Sequence, residues 1–292
     1  MQVHALSVLP TPHGRQVQLK AHQCIWSGDF HGNSLAAVEE CLREAVARAE
    51  IDIAMLADED FLVLSHSFDL VVGNVRRAEV GQLELPYRPP LLSEVVALMV
   101  RTPAPTMLEL DMMDVAPLPL PRLEQLAHLV GPVRERVVFN NVGDWNLRRL
   151  LRCDPSLLVG LDPAGEIDWV DPAEEAEENI TLPRGAYGYF DAHPLARERY
   201  SSVADYLFDR VGGIVRLVPR ASEAHVRLAC FERMRRDGVE DVAALFQRHG
   251  LRLDVWTLDA GTPGWHERLL AAVEAGVDMI TTNTPRELAR AL

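Results

Sequence analysis

Eight short strand-like segments, most of them followed by a helical segment, recur along this sequence of 292 residues and constrain its fold more than any other feature. Between the first two segments, apolar residues fall at helical spacing: Leu35, Val38, Leu42 and Val46. We expect the strands to begin near Val17, Glu50, Thr106, Val137, Leu157, Ile214, Arg252 and Val277. Eight alternating βα units predict an α/β protein, a single (β/α)8 TIM barrel over residues 1–292.

Several stretches between these strands carry predictions of their own. Phe61 to His66 is expected to return as a hairpin strand beside the second barrel strand, after an acidic turn. Residues 162–213 interrupt the alternation with an acidic run and an aromatic-rich part, which indicates an insertion. Residues 222–249 are expected to be helical, and Asn33 is expected to cap the first helix, over residues 34–49.

Composition restricts the partners and the compartment. The net charge of −14 argues against nucleic acid or an anionic membrane as a partner, because both need clustered lysine and arginine. No stretch reaches the roughly 18 consecutive apolar residues of a membrane span, and no secretory signal is evident at the N-terminus. The four cysteines form no CxxC pair, so we expect reduced thiols and a cytoplasmic protein. The oligomeric state is left open.

Acidic pairs mark two of the predicted strands. Glu50 and Asp52 are two residues apart and so share one face of a strand, and Glu109 and Asp111 repeat that spacing. Taken alone, the first pair is more simply explained as part of an exposed acidic hairpin. Barrel active sites, however, lie at the carboxyl ends of the strands, where His22 is also expected. Carboxylates that bind a hard cation beside a general acid or base are therefore predicted there.

Short motifs in a fixed order strengthen this prediction. The sequence has Ala21-His22-Gln23, His31-Gly32-Asn33-Ser34, Glu50-Ile51-Asp52, Ser65-His66-Ser67, Glu109-Leu110-Asp111, Trp256-Thr257 and Gly276-Val277-Asp278-Met279-Ile280-Thr281-Thr282-Asn283-Thr284-Pro285. In number, order and spacing they resemble the motifs of the glycerophosphodiester phosphodiesterases. The resemblance extends from about Leu19 to the end of the chain, apart from residues 162–213.

The resemblance implies a (β/α)8 barrel that hydrolyses a small-molecule phosphodiester in lipid metabolism. Its catalytic histidines would be His22 and His66. Its metal-binding carboxylates would be Glu50, Asp52 and Glu109, and they would hold Ca²⁺ or Mg²⁺. One histidine would deprotonate the nucleophile and the other would protonate the leaving alkoxide, and the sequence does not assign which does which.

The sequence departs from the family at positions expected to contact the substrate. Gln23 stands where the family has an arginine and Asp111 where it has a lysine, and both of those cations hold the phosphate. Gln23 could donate a neutral hydrogen bond instead. Asp111 is open between a further metal ligand and a partner for a cation, and Trp256 between a wall of the pocket and core packing.

These departures leave two alternatives to hydrolysis. One is a catalytically silent barrel that serves as a binding or scaffold protein. The other is a phospholipase similar to sphingomyelinase D, which forms a cyclic phosphate and lacks an arginine after its first histidine. The predicted histidines and metal carboxylates favour an active enzyme.

Overall fold

The computed structural model describes residues 7–11, 14–64, 72–85, 87–173, 175 and 180–291, and in this part of the chain eight parallel strands close into a barrel. They are β1 (Gln16–Ala21), β2 (Arg48–Met55), β3 (Met107–Met112), β4 (Val137–Asn140), β5 (Leu158–Leu161), β6 (Glu223–Arg227), β7 (Arg252–Trp256) and β8 (Met279–Thr282). Each strand pairs with the next, and β8 pairs with β1. The predicted (β/α)8 barrel is confirmed.

Helices separate most of the barrel strands. They are α1 (Leu35–Arg43), α2 (Leu92–Arg101), α3 (Leu120–Val130), α4 (Asp144–Cys153), α5 (Val203–Ile214), α6 (Leu228–Arg236), α7 (Val242–Gln247), α8 (Trp265–Glu274) and α9 (Pro285–Ala289). Ser34, rather than the predicted Asn33, caps α1, because its side chain accepts a hydrogen bond from the backbone of Ala37. Asn33 has a positive φ of 60° instead, and its side chain serves the barrel end described below.

The main hydrophobic core lies between the strands and the helices. Along β2 the apolar side chains of Ile51 and Ile53 are fully buried in this core, which Leu110 of β3 also joins. Glu50 and Asp52 alternate with them and so face the interior of the barrel. Burial of apolar surface, about 25 cal/mol per Å², is the main term that stabilises such a layer.

Two short antiparallel strands extend the barrel sheet. Val8–Pro10 pairs with β1, and Phe61–Val63 pairs with β2 in the register Ile53 to Val63. The predicted hairpin is therefore present as far as the described residues reach. His66 lies outside them.

The strand predicted near Ile214 is wrong, and with it the helix predicted over residues 222–249. Leu207, Val211 and Ile214 are buried at helical spacing in α5, which Ser202 caps through its hydroxyl group. The sixth strand is instead β6, Glu223–Arg227, and the helical segment begins only after it, at Leu228. The polar residues that alternate along β6 do not form the apolar run expected of a barrel strand, because the polar face of β6 is buried inside the barrel.

The predicted insertion is consequently shorter than residues 162–213. Residues 203–213 belong to α5, which occupies the place of a barrel helix between β5 and β6. The part before α5 contains a two-stranded antiparallel sheet of Ile167–Asp168 and Phe190–Asp191. Asp191 links this two-stranded sheet to α5, because its buried carboxylate accepts hydrogen bonds from Tyr206 and Arg210.

The cysteines are free thiols, as expected, and the cytoplasmic location stays a prediction. Among the described residues, no helix combines the length and apolar character needed to cross a membrane.

Candidate active site at the carboxyl end of the barrel

Three carboxylates on β2 and β3 meet near the carboxyl end of the barrel. Asp52 is the register partner of Asp111, and Glu50 lies one step deeper, beside Glu109. Carboxylate oxygens of Glu50, Asp52 and Asp111 all lie within 4.8 Å of one another. The spacing of two residues on each strand, combined with the parallel register, therefore produces one cluster of acidic groups.

Neutral hydrogen-bond donors hold two of these carboxylates in place. Asp52 Oδ2 accepts from Gln23 Nε2 at 2.9 Å and from Asn33 Nδ2 at 2.8 Å, and Glu50 Oε2 accepts from the backbone N–H of Gln23 at 2.8 Å. Within the described part of the chain, Glu50 Oε1 and Asn140 Oδ1 are buried oxygens without a hydrogen-bond partner. Two oxygens beside the cluster are thus open to a further ligand.

Burial and the proximity of other carboxylates raise the pKa values of Glu50 and Asp111. Burial, then the charges of Asp52 and Asp111, raise the pKa of Glu50 well above its ordinary value. Burial, then the charges of Asp52 and Glu109, raise the pKa of Asp111 to about 8. Without a cation, the cluster therefore retains protons at neutral pH, as expected for buried carboxylates that repel one another.

His22 follows β1, and a chain of hydrogen bonds fixes its protonation pattern. Its Nδ1 lies 2.8 Å from Asn283 Oδ1, and Asn283 Nδ2 donates to Asp259 Oδ2 at 2.8 Å. Because a carboxylate only accepts, the Asn283 amide must turn its oxygen toward the histidine, and neutral His22 carries its proton on Nδ1. Its Nε2, 3.9 Å from Glu50 Oε2, is then the nitrogen that can accept a proton.

Glu109 is engaged deeper in the barrel. Its Oε2 lies 2.6 Å from Lys20 Nζ, which also lies 2.5 Å from Asp254 Oδ2 and 3.1 Å from His225 Nδ1. Burial opposes the ionisation of Asp254, yet the charge of Lys20 and the hydrogen bond from His225 hold its pKa well below its usual range. Lys20 thus neutralises two carboxylates in the barrel interior, and Glu109 is one of them.

A cavity of about 350 Å³ opens above this network. Predicted site residues that line it are His22, Glu50, Asp52, Glu109, Asp111 and Trp256. Gln23 reaches the cluster through the two hydrogen bonds described above. The structure thus brings together the predicted residues that it describes, with Glu109 turned toward Lys20, and His66 falls outside the described residues.

Sequence reasoning missed the contribution of β6 to this cavity. His225 and Arg227 both line it, and the guanidinium carbon of Arg227 lies 4.5 Å from the centre of the Trp256 ring. Trp256 is therefore packed against a cation at the site. The sequence does indicate this strand, because polar residues at 223, 225 and 227 alternate with apolar ones. A period of two residues is typical of a strand and not of a helix.

Comparisons with known proteins bear on the fold. No family model and no curated protein matches the sequence. A phosphodiesterase from Oleispira antarctica, solved with the product sn-glycerol-3-phosphate, matches with a TM-score of 0.61 and 14% identity over 94% of this chain and 96% of that one. A glycerophosphodiester phosphodiesterase from Parabacteroides distasonis matches with a TM-score of 0.60 and 16% identity, over 93% and 94%.

A Galdieria sulphuraria protein, provisionally assigned to the same family, has a TM-score of 0.67 and 14% identity over 94% of this chain and 96% of that one. The chain therefore has the fold of the glycerophosphodiester phosphodiesterases along nearly its whole length, which agrees with the resemblance found in the sequence.

Proposed function

We propose that this protein is a divergent glycerophosphodiester phosphodiesterase that hydrolyses a small phosphodiester with the help of a divalent cation. One observation carries the proposal: Glu50, Asp52 and Asp111 converge within 4.8 Å beside His22, at the end of the barrel where such folds place their active sites. The Oleispira antarctica structure, with sn-glycerol-3-phosphate as its product, supports a glycerophosphodiester-like substrate.

The donor set fits a hard divalent cation such as Mg²⁺ or Ca²⁺. These ions prefer carboxylate and carbonyl oxygens, and the cluster offers three carboxylates together with the unpartnered Glu50 Oε1 and Asn140 Oδ1. We assign Asp111 as the third carboxylate ligand in preference to Glu109, because Lys20 already neutralises Glu109. A bound cation would supply positive charge to a phosphate oxygen and relieve the repulsion among the carboxylates.

His22 is the general base in this proposal. With its proton on Nδ1 and directed at Asn283, its Nε2 carries no proton and can take one from the attacking water molecule. Asp259 keeps the amide of Asn283 in the required orientation, so the tautomer is set before the substrate arrives. His66, predicted as the second histidine, would then donate a proton to the leaving alkoxide.

Steady-state hydrolysis of bis(p-nitrophenyl) phosphate and of glycerophosphodiesters tests the proposal, with EDTA, Mg²⁺ or Ca²⁺ in parallel. We expect activity that depends on the cation and falls at least about 100-fold in His22→Ala, because general base catalysis contributes roughly that much. Asp52→Asn should weaken the binding of Mg²⁺ measured by calorimetry. Asp29→Asn is the matched control, since Asp29 is an exposed carboxylate in the loop after β1.

The same assays decide between hydrolysis and its alternatives. A silent barrel is favoured by the hydrogen bonds from Gln23 and Asn33, which satisfy Asp52 without a cation. Such a protein would bind no Mg²⁺ at this site, and its rate of hydrolysis would be the same in the wild type and in His22→Ala. A lyase-type phospholipase would instead release a cyclic phosphate, which ³¹P NMR of the products identifies.

A further inference from the structure

We propose that Arg227 binds the phosphate group of the substrate, in place of the arginine and lysine that positions 23 and 111 lack. This inference rests on the proposed function, because it names the group that recognises the substrate's phosphate at that site. Gln23 and Asp111 carry no positive charge, so another cation at the site would have to attract the anionic phosphate.

The position of Arg227 on β6 directs its side chain into the cavity. Arg227 is the last residue of β6 and the register partner of Trp256 at the end of β7. It is two residues beyond His225, which faces the barrel interior, so both side chains share one face of the strand. The cavity that holds the three carboxylates is accordingly lined by Arg227 as well.

Asp168 and Trp256 both contact the guanidinium group of Arg227. Arg227 Nε lies 3.0 Å from Asp168 Oδ2 and 3.3 Å from Asp168 Oδ1, and its guanidinium carbon lies 4.5 Å from the centre of the Trp256 ring. Asp168 is buried and belongs to the two-stranded antiparallel sheet before α5. A planar guanidinium group that pairs with a buried carboxylate and stacks on an aromatic ring is held in one orientation, which reduces the entropy lost when phosphate binds.

Lys20 is poorly suited to this role. Among the described residues that line the cavity, lysine and arginine are represented by Lys20 and Arg227. The side chain of Lys20 is only 2% exposed, and its ammonium group is shared between Glu109 and Asp254. The side chain of Arg227 is 18% exposed, so a ligand in the cavity can reach it. Since several carboxylates line the same cavity, the positive charge of Arg227 would favour the binding of an anionic substrate there.

Titration of the Mg²⁺-loaded protein with inorganic phosphate, followed by calorimetry, measures anion binding without requiring catalysis. We expect Arg227→Met to weaken phosphate binding about tenfold to 100-fold, the usual loss for a charge-assisted hydrogen bond, and Arg227→Lys to weaken it less. The affinity for Mg²⁺ should be unchanged in both. Arg236→Met is the matched control, because it removes the same charge from an exposed position on α6.

Hydrolysis of bis(p-nitrophenyl) phosphate provides the second measurement. Arg227→Met should raise KM, and Asp168→Asn, which keeps the arginine but loosens its orientation, should raise KM by a smaller factor. Should Arg227→Met fail to fold, Arg227→Lys and Asp168→Asn carry the test. A wild-type protein that binds phosphate through Arg227 but cleaves no diester would uphold this inference and refute the proposed hydrolysis. Equal phosphate affinity in wild type and Arg227→Met, or no phosphate binding at all, would overturn the inference.

Discussion

Replacement of Asp111 by asparagine should make the metal-free protein less sensitive to alkaline pH and remove its response to divalent cations. The pKa of Asp111 is about 8 in the folded protein, raised by burial and by Asp52 and Glu109, against an ordinary value of 3.8. At any pH between these values the folded protein holds a proton that the unfolded chain has released. The free energy of unfolding therefore falls as the pH rises from about 4 through about 8.

The size of the effect follows from this linkage. One proton held by the folded state and released by the unfolded state changes the free energy of unfolding by ~1.4 kcal/mol per pH unit. Between pH 6 and pH 8, the titration of Asp111 should therefore lower the free energy of unfolding of the metal-free wild type by ~2 kcal/mol. An asparagine side chain cannot titrate, so Asp111→Asn should lose less stability over the same interval. The removal of one negative charge should also lower the pKa of Glu50, which acts in the same direction.

Urea denaturation at pH 6 and pH 8, first with EDTA and then with Mg²⁺, measures these differences. Mg²⁺ at 100 times its dissociation constant should stabilise the wild type by about 2.7 kcal/mol and Asp111→Asn by much less. Asp29→Asn should behave as the wild type does in both buffers. If the wild type and Asp111→Asn lost equal stability between pH 6 and pH 8, the account of a crowded carboxylate cluster would be refuted.

Two further variants test the supports of the site. Asn283→Leu removes the acceptor that fixes the tautomer of His22, so kcat should fall about tenfold or more. The affinity for Mg²⁺ measured by calorimetry should be unchanged. A normal kcat would contradict the assigned tautomer. Gly160→Ala would place a Cβ in steric overlap with Nε2 of the buried His225, so urea denaturation should show a loss of about 1–3 kcal/mol, whereas Gly131→Ala meets nothing within 4 Å and should be tolerated.

Much of the barrel could be predicted from local patterns. Seven of the eight predicted strand positions correspond to barrel strands, because apolar residues on one face of each strand must be buried under helices. The sixth failed where that signal weakens. Glu223, His225 and Arg227 make β6 polar along one face. The apolar residues at 214, 215, 217 and 218, which form the end of a helix and the turn after it, suggested a strand in its place.

The acidic cluster could be anticipated only in part. Sequence spacing placed Glu50 and Asp52 on one face, and parallel pairing of neighbouring strands places Asp111 beside them. The resemblance to a known family suggested Glu109 as the third metal ligand. Lys20, 89 residues away along the chain, binds Glu109 in the structure, and nothing local to either residue indicates that pairing.

The sequence by itself determined that this chain forms an α/β barrel and that histidine and carboxylates lie at its strand ends, because periodicity and strand order are encoded locally. Only the tertiary structure decided which charges meet across the barrel. It paired Lys20 with Glu109 and Asp254, left Asp111 beside Glu50, and brought Arg227 to the cavity. Such contacts depend on the closure and register of distant strands, which bring together residues whose chemistry is readable in the sequence but whose partners are not.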